Sequence, residues 1–218
     1  MRIVTLFAAL TLMSGCVSTS QYLKVQKENE RLHERIEKMD ERAEAMLRAY
    51  KELLADFKPL IDRGLLKIEV VDGRITLGMA SDVLFASGSA DLSSGGRENI
   101  VEITRILSKK VGDRDFQVEG HTDTEPINTP QFPNNWHLGA ARALAVTQLM
   151  VANGFPEDHI SAASFGDNSP VASNGSASGK AQNRRIEIVL LPELSDMPGY
   201  KRLMTEHKGR SRGRGKGK

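Results

Sequence analysis

"DFQVEGHTDTEPI", residues 115–127, changes character midway, and that change decides the fold. In its first half Phe116 and Val118 alternate with Gln117 and Glu119, the period-two signature of a strand with one apolar and one polar face. In its second half His121, Asp123 and Glu125 place ionisable groups at alternate positions. Pro126 then takes the chain off any regular path, because proline cannot donate to a ladder. Taken alone, the stretch is compatible with a metal site, a catalytic site, a ligand clamp or a plain loop at a strand end.

Working outward, "LLKIEVVDGRITLGMA" reads as two strands around the turn Asp72-Gly73, a strong hairpin signal. Leu92, Ile100, Ile103 and Leu107 recur at helical spacing after the loop "DVLFASGSADLSSGG". A second helix is predicted from about Trp136 to Ala152, with Leu138, Ala141, Ala145 and Leu149 as its apolar stripe and Asn134 or Asn135 as its cap. "HISAASFG" is a short strand. "RRIEIVLL" is a longer one, with Ile186, Ile188 and Leu190 on one face. The order ββαβαββ predicts an α/β (α+β) fold: a two-layer sandwich over residues 65–192, with a mixed sheet and helices on one face.

Ahead of it, Tyr22, Val25, Asn29, Leu32, Ile36, Met39, Ala43, Met46, Tyr50, Leu53 and Phe57 are spaced 3, 4, 3, 4 throughout. A strict 3.5-residue repeat predicts a coiled-coil helix over 22–58, pairing with itself as a homo-oligomer; the alternatives are a monomeric helix or another partner. Asn29 lies on the seam, where a polar residue fixes register at a cost in stability. At 1.5 Å per residue such a helix is roughly 50 Å long.

The chain opens "MRIVTLFAALTLMSGC". A short basic start, an apolar run and small residues before Cys16 have the length and order of a secretion signal, too short to span a membrane as a mature helix. "MSGC" resembles the processing box of bacterial lipoproteins. That resemblance makes residues 1–15 the signal, Cys16 the lipidated first residue and 16–21 a short linker. The alternative is a secretory signal with a chance cysteine. Cys16 is the only cysteine, so no disulfide forms within the chain. Without Asp at Val17, the common sorting rule points to the outer membrane, with the domain on its periplasmic face. At the other end, eight Lys or Arg and one acid lie from Lys201 onward, while the remaining 200 residues hold 22 basic and 27 acidic residues. The slight positive charge is therefore a property of the tail, and residues 193–218 are expected to be disordered.

Several chemistries fail on the residues. "NGSASGKA" approaches a phosphate loop, but Asn174 and Ala181 stand where Gly and Ser or Thr are needed, and it reads as a flexible surface loop. There is no nucleophile elbow, clear triad or usable cysteine. No metal set and no cofactor are expected: a zinc site wants three protein ligands, and of the five histidines only His121 and His137 lie near the informative stretches. An exported chain gives the basic tail no nucleic acid to meet.

Five stretches together resemble one family: "DVLFASGSADLSSGG", "VEGHTDTEPI", "NNWHLGAARALAV", "FGDNSPVASN" and "NRRIEIVL". They occur in the order found in OmpA-like peptidoglycan-binding domains, in the variant carried by flagellar stator proteins. Two departures are plain. Gly139 stands where the family usually has Ser, and the leader ends in a lipoprotein-type cysteine where stator proteins carry a true membrane helix. The resemblance implies a non-enzymatic domain that grips diaminopimelate in the peptide stem of peptidoglycan. Asp123 would take its ammonium and Arg142 its carboxylate. Asn135 and Thr124 would line the site, with Arg184 or Arg185 touching ligand and the other pairing with Glu187 or another acid. The chemistry suits these residue types, since a carboxylate accepts up to four hydrogen bonds and guanidinium offers a planar fork. The function implied is a lipoprotein tethering outer membrane to cell wall. The alternative is a wall-localised scaffold acting through its coiled coil.

Overall fold

The computed structural model describes residues 18–111, 114–192 and 200. Cys16, the signal stretch, the basic tail from Lys201 and the expectation of disorder over 193–218 lie outside the described residues. The chain divides into two compact units, one ending at Ala45 and the other beginning at Met46.

Helix α1 runs Thr19–Asp56, starting before the expected Tyr22. The hydroxyl of Ser18 accepts from Gln21 N at 3.2 Å, satisfying one of the amides that a helix start leaves open. In the first unit the seam of this helix is exposed: Tyr22, Val25, Ile36 and Met39 are each more than half accessible. In the second unit the same periodicity turns inward. Met46 and Tyr50 are partly buried against the core, and Leu53 and Phe57 are fully buried within it. The domain therefore begins well before the expected residue 65, and the last turns of the expected coiled coil belong to its core. Phe57 leads into α2 (Lys58–Asp62), which carries the buried Leu60.

The sheet contains β1 (Lys67–Val71), β2 (Arg74–Ala80), β3 (Phe116–His121), β4 (Ile160–Gly166) and β5 (Arg185–Leu190) in the order β1-β2-β5-β3-β4. Only the β3–β4 pair is parallel. The β1–β2 hairpin closes through Asp72 and Gly73, both at positive φ (49° and 72°), as a two-residue turn of this hand requires. Three short or long helices separate the strands: α3 (Ser81–Leu84), α4 (Ser94–Val111) and α5 (Asn135–Ala152). A further helix, α6 (Ala177–Asn183), precedes β5 and replaces the surface loop expected at "NGSASGKA". Its N-cap Ser176 accepts from Gly179 N at 3.1 Å. Seven residues are too few for their periodicity to show in the sequence.

The core lies on one face of the sheet. Ile75, Leu77, Met79, Phe116, Val118, Ile186 and Ile188 meet Ile100, Ile103 and Leu107 of α4 and Val146 and Met150 of α5. The opposite face carries Thr76, Glu119, His121, Arg185 and Glu187. The fold is thus the mixed, two-layer α+β arrangement that the element order implied. The stripe of α5 is rotated from the expected one: the buried set is Asn135, Leu138, Gly139, Arg142, Ala143, Val146 and Met150. Close approach to β3 causes the rotation. A Cβ on Gly120 would meet the Gly139 carbonyl oxygen at 2.0 Å, and one on Gly139 would meet Ser164 Oγ at 2.4 Å. Ser164 donates to Trp136 O at 2.9 Å, so a β4 hydroxyl occupies the space a serine at 139 would need. This glycine pair seats α5 directly on the end of β3, where the site forms.

Candidate functional site

β3 ends at His121, with a register shift against β4 between Gly120 and His121. His121 stays on the sheet's polar face, whereas Asp123 turns into a cavity of about 720 Å³ at the strand's carboxyl end. Thr122 N donates to Gly166 O at 2.8 Å and anchors the turn. Asp123 is 5 % exposed. Its Oδ1 accepts from Glu125 N at 3.1 Å, and its Oδ2 from Arg184 Nη1 at 2.7 Å. Asn135 braces the loop by donating to the carbonyls of Asp123 and Glu125, each at 3.1 Å. The two adjacent asparagines divide the labour: Asn134 caps α5, accepting from His137 N, and Asn135 holds the loop.

Arg142 enters the same cavity about two turns further along α5 and is 3 % exposed. Its Nε donates to Ser89 O at 2.8 Å, and its guanidinium carbon stands 5.2 Å from the centre of the Phe85 ring. Among the described residues that is its only hydrogen bond, so both terminal nitrogens stay available in the cavity. Burial pushes the guanidinium below its ordinary pKa, and the charge of Asp82 opposes that shift. Arg184 closes the wall. Nη1 reaches Asp123, and Nη2 reaches Asp82 Oδ2 at 2.8 Å. These hydrogen bonds raise the guanidinium further above its ordinary value. The Arg184 bond holds the Asp82 carboxyl below its own ordinary value, against a smaller opposing effect of burial. Three carboxylates (Asp82, Asp123 and Glu125) and two guanidiniums line the cavity, and Lys180, paired with Glu125 at its rim, brings the group to no net charge.

The structure brings Asp123, Asn135, Arg142 and Arg184 together and leaves two expected residues out. Thr124 is exposed and does not line the cavity; Thr122 does. Arg185 is on the opposite face of the sheet, where its Nε donates to Glu187 Oε1 at 2.5 Å. Period-two alternation explains this: Arg184 precedes the strand as the C-cap of α6, and Arg185 and Glu187 point the same way. Asp82 and Phe85 also line the cavity, the Ser89 carbonyl fixes Arg142 from behind it, and none of the three was expected as a site residue. All three lie within or beside "DVLFASGSAD", but the spacing there carries no signal of a contact made across the fold.

On the polar face, His121 Nε2 lies 3.6 Å from Glu119 Oε2 and 3.8 Å from Glu187 Oε2. Both His121 ring nitrogens and Glu119 Oε1 are buried without a hydrogen bond, and the ring stacks on Phe165 at 5.0 Å. Zinc bonds of about 2.0–2.1 Å place tetrahedral ligand atoms roughly 3.3 Å apart, so the three groups are near that geometry. Charge argues the other way. Arg74 stands 3.6 Å from Glu119 and Arg185 pairs with Glu187, so both carboxylates already have cations. A divalent ion would take a neutral, enclosed cluster to a net charge of two, an uncompensated burial that costs several kcal/mol.

Residues 84–184 match the OmpA family model. Motility protein B of Bacillus subtilis (strain 168) is 31% identical over 128 residues, 58% of this chain and 49% of that protein. Probable lipoprotein YiaD of Escherichia coli (strain K12) is 35% identical over 118 residues, 54% of this chain and 52% of that protein. The chain therefore spans about half the length of the curated relatives it matches. Among solved structures, the cell wall anchor of the T6SS from Pseudomonas aeruginosa is 33% identical, with a TM-score of 0.60, covering 65% of this chain and 97% of that one. Apart from Asp82, which lies two residues ahead of it, the residues lining the cavity from Phe85 to Arg184 fall inside the matched span, and through this domain the chain belongs to the OmpA family.

Proposed function

We propose that the chain is a non-catalytic envelope tether that binds the peptide stems of peptidoglycan in the Asp123–Arg142 cavity. The free amino-acid end of diaminopimelate carries one ammonium and one carboxylate. A charge-balanced ligand suits a charge-balanced cavity. The ammonium goes to Asp123, whose carboxylate has acceptor positions beyond the two in use. The carboxylate goes to the terminal nitrogens of Arg142, a planar fork matched to two oxygens. The observation that carries the reading is this buried guanidinium, fixed through Nε and Phe85 yet unspent at its two outer nitrogens. Arg184 holds Asp123 in place. The name of the Pseudomonas aeruginosa relative, a cell wall anchor, supports the same assignment.

Cys16 is the proposed lipid attachment point, in the outer membrane with the domain on the periplasmic side, and α1 supplies reach. The leader "MSGC" supports the anchor, as does the name of the Escherichia coli relative. Among the described residues no helix is long and apolar enough to cross a membrane. A wall-localised scaffold is the second reading, favoured by the exposed seam of α1.

Sedimentation with purified sacculi tests the site. Asp123→Ala and Arg142→Ala are each expected to weaken binding by about 30-fold to several thousand-fold, since truncating one side of a buried charge contact costs roughly 2–5 kcal/mol. Circular dichroism checks that the variants are folded. Wild-type sedimentation by both folded variants would remove the cavity from the function. New amine or reducing ends released from the sacculi would instead indicate a hydrolase.

A further inference from the structure

The first unit of α1 has an apolar seam whose side chains Tyr22, Val25, Leu32, Ile36 and Met39 are exposed. Heptad positions follow from its spacing. Tyr22, Asn29, Ile36 and Ala43 occupy a; Val25, Leu32, Met39 and Met46 occupy d. The core side chains that follow on the same helix, Leu53 and Phe57, are used by the chain's own domain. The free seam thus spans 22–43, just over three heptads, which is about the shortest length at which a heptad pattern supports a coiled coil. We infer that a second copy of this chain occupies the seam, in a parallel, in-register, two-stranded coiled coil limited to residues 22–43.

Three features select that occupant and orientation. First, Asn29 stands at a. In a parallel pair in register it meets its own copy, where two amides satisfy each other; any other register sets it against an apolar residue. Second, the parallel arrangement is the one in which no flanking pair is repulsive, although an antiparallel one would also set Glu28 against Arg42. A g residue faces the e residue five positions on in the other helix. Glu28 therefore meets His33, and Arg35 meets Asp40, of the second copy. Antiparallel pairing centred on this stretch sets Arg35 against Arg35. Third, Arg42 at g can lay its stem against Leu47 at e of the second copy, and Leu47, just beyond the seam, is 51% exposed. A helix from an unrelated protein would need to reproduce the 3-4 spacing, the asparagine and both charge positions.

The inference does not depend on the wall-binding reading, and its test makes no use of sacculi. The full chain carrying Cys16→Ser receives one cysteine at a time, at Val25, Met39, Lys27 or Glu34, and is oxidised under mild conditions. Val25 and Met39 are d positions; Lys27 and Glu34 are f positions on the outer face. Fast disulfide-linked dimers at both 25 and 39, with little at 27 or 34, are the expected result. Homodimeric links at two d positions fourteen residues apart require parallel, in-register strands, because in an antiparallel pair a d residue layers with an a residue of the other helix, Val25 with Ala43. A 25-to-43 link on mixing the Val25→Cys and Ala43→Cys proteins would overturn the orientation. Equal linking at d and f, or a monomer by sedimentation equilibrium, would overturn the coiled coil. Asn29→Val is expected to tighten association and to broaden the set of cross-linked registers. An unchanged register would leave Asn29 without its assigned role.

Discussion

Asp82 and Arg184 set the acid limit of the cavity. Arg184 is hydrogen-bonded to both Asp82 and Asp123, and this pairing holds the Asp82 carboxyl below its ordinary value of 3.8. A carboxyl depressed in the folded state stabilises the fold above its unfolded pKa and loses that contribution as the pH falls through the lower, folded value. Asp82 is more than half exposed, so solvent screens the effect and it is small. The expected outcome is a constant difference in melting temperature between wild type and Asp82→Asn from about pH 8 to pH 5, which starts to shrink near about pH 4 and vanishes only below the lowered folded value. A difference that disappeared near neutrality would mean that Asp82 does not act through its charge. At this scale the sequence was informative where a motif named the residue and silent where the contact is made at a distance. Asp123, Asn135 and Arg142 could be located from "VEGHTDTEPI" and "NNWHLGAARALAV". The choice between Arg184 and Arg185 depends on where β5 begins, and a one-residue shift there sends a side chain to the other face. His121 shows the same limit. Alternation alone pairs it with Asp123, but the register shift after Gly120 separates them and gives it Glu119 and Glu187 as neighbours.

One helix serves two hydrophobic environments with one periodicity. From Tyr22 to Phe57 the spacing of α1 never breaks, so no pattern in the sequence marks where the exposed seam ends and the domain core begins. The structure places that change near Met46. Substitutions of the same kind on the two sides should therefore behave differently. Leu53→Ala removes a buried side chain and is expected to cost about 2–5 kcal/mol. For a domain of this size that lowers the melting temperature by roughly 5–15 °C. Leu32→Ala, on the exposed seam, is expected to leave the domain's melting temperature unchanged. Calorimetry on the full chain measures both, and an equal loss from the two would place the whole helix in one cooperative unit. The long strands and helices were legible for the usual reason, burial of one face. Ile186, Ile188 and Leu190 are all buried as their alternation implied. The stripe of α5 was read one position off because its contact surface is set by Gly120 and Gly139. A close approach between two glycines leaves no hydrophobic pattern to read.

On the scale of the whole molecule, the proposed function separates membrane attachment, reach and recognition along the chain's length. The chain also separates charge. The body outside the tail carries a formal excess of five acids, and the residues from Lys201 onward an excess of seven bases. Basic segments near an anionic surface contribute about 1 kcal/mol per residue, and salt screens that attraction to within roughly 4 Å at 0.5 M. A lipid anchor is insensitive to such salt, so a high-salt wash distinguishes the two modes of membrane association. If anchor and cavity are independent modules, their variants should fail in complementary ways. Cys16→Ser is expected to lose labelling by an alkyne fatty acid and to leave the membrane fraction after a wash at about 0.5 M salt, yet to sediment with sacculi like wild type. Arg142→Ala is expected to remain in the washed membranes and to lose the sacculi. Retention of Cys16→Ser in washed membranes would move the anchor elsewhere in the chain. If that variant also lost the sacculi while folded, wall binding would depend on membrane attachment, and the two ends of the tether would not be separable.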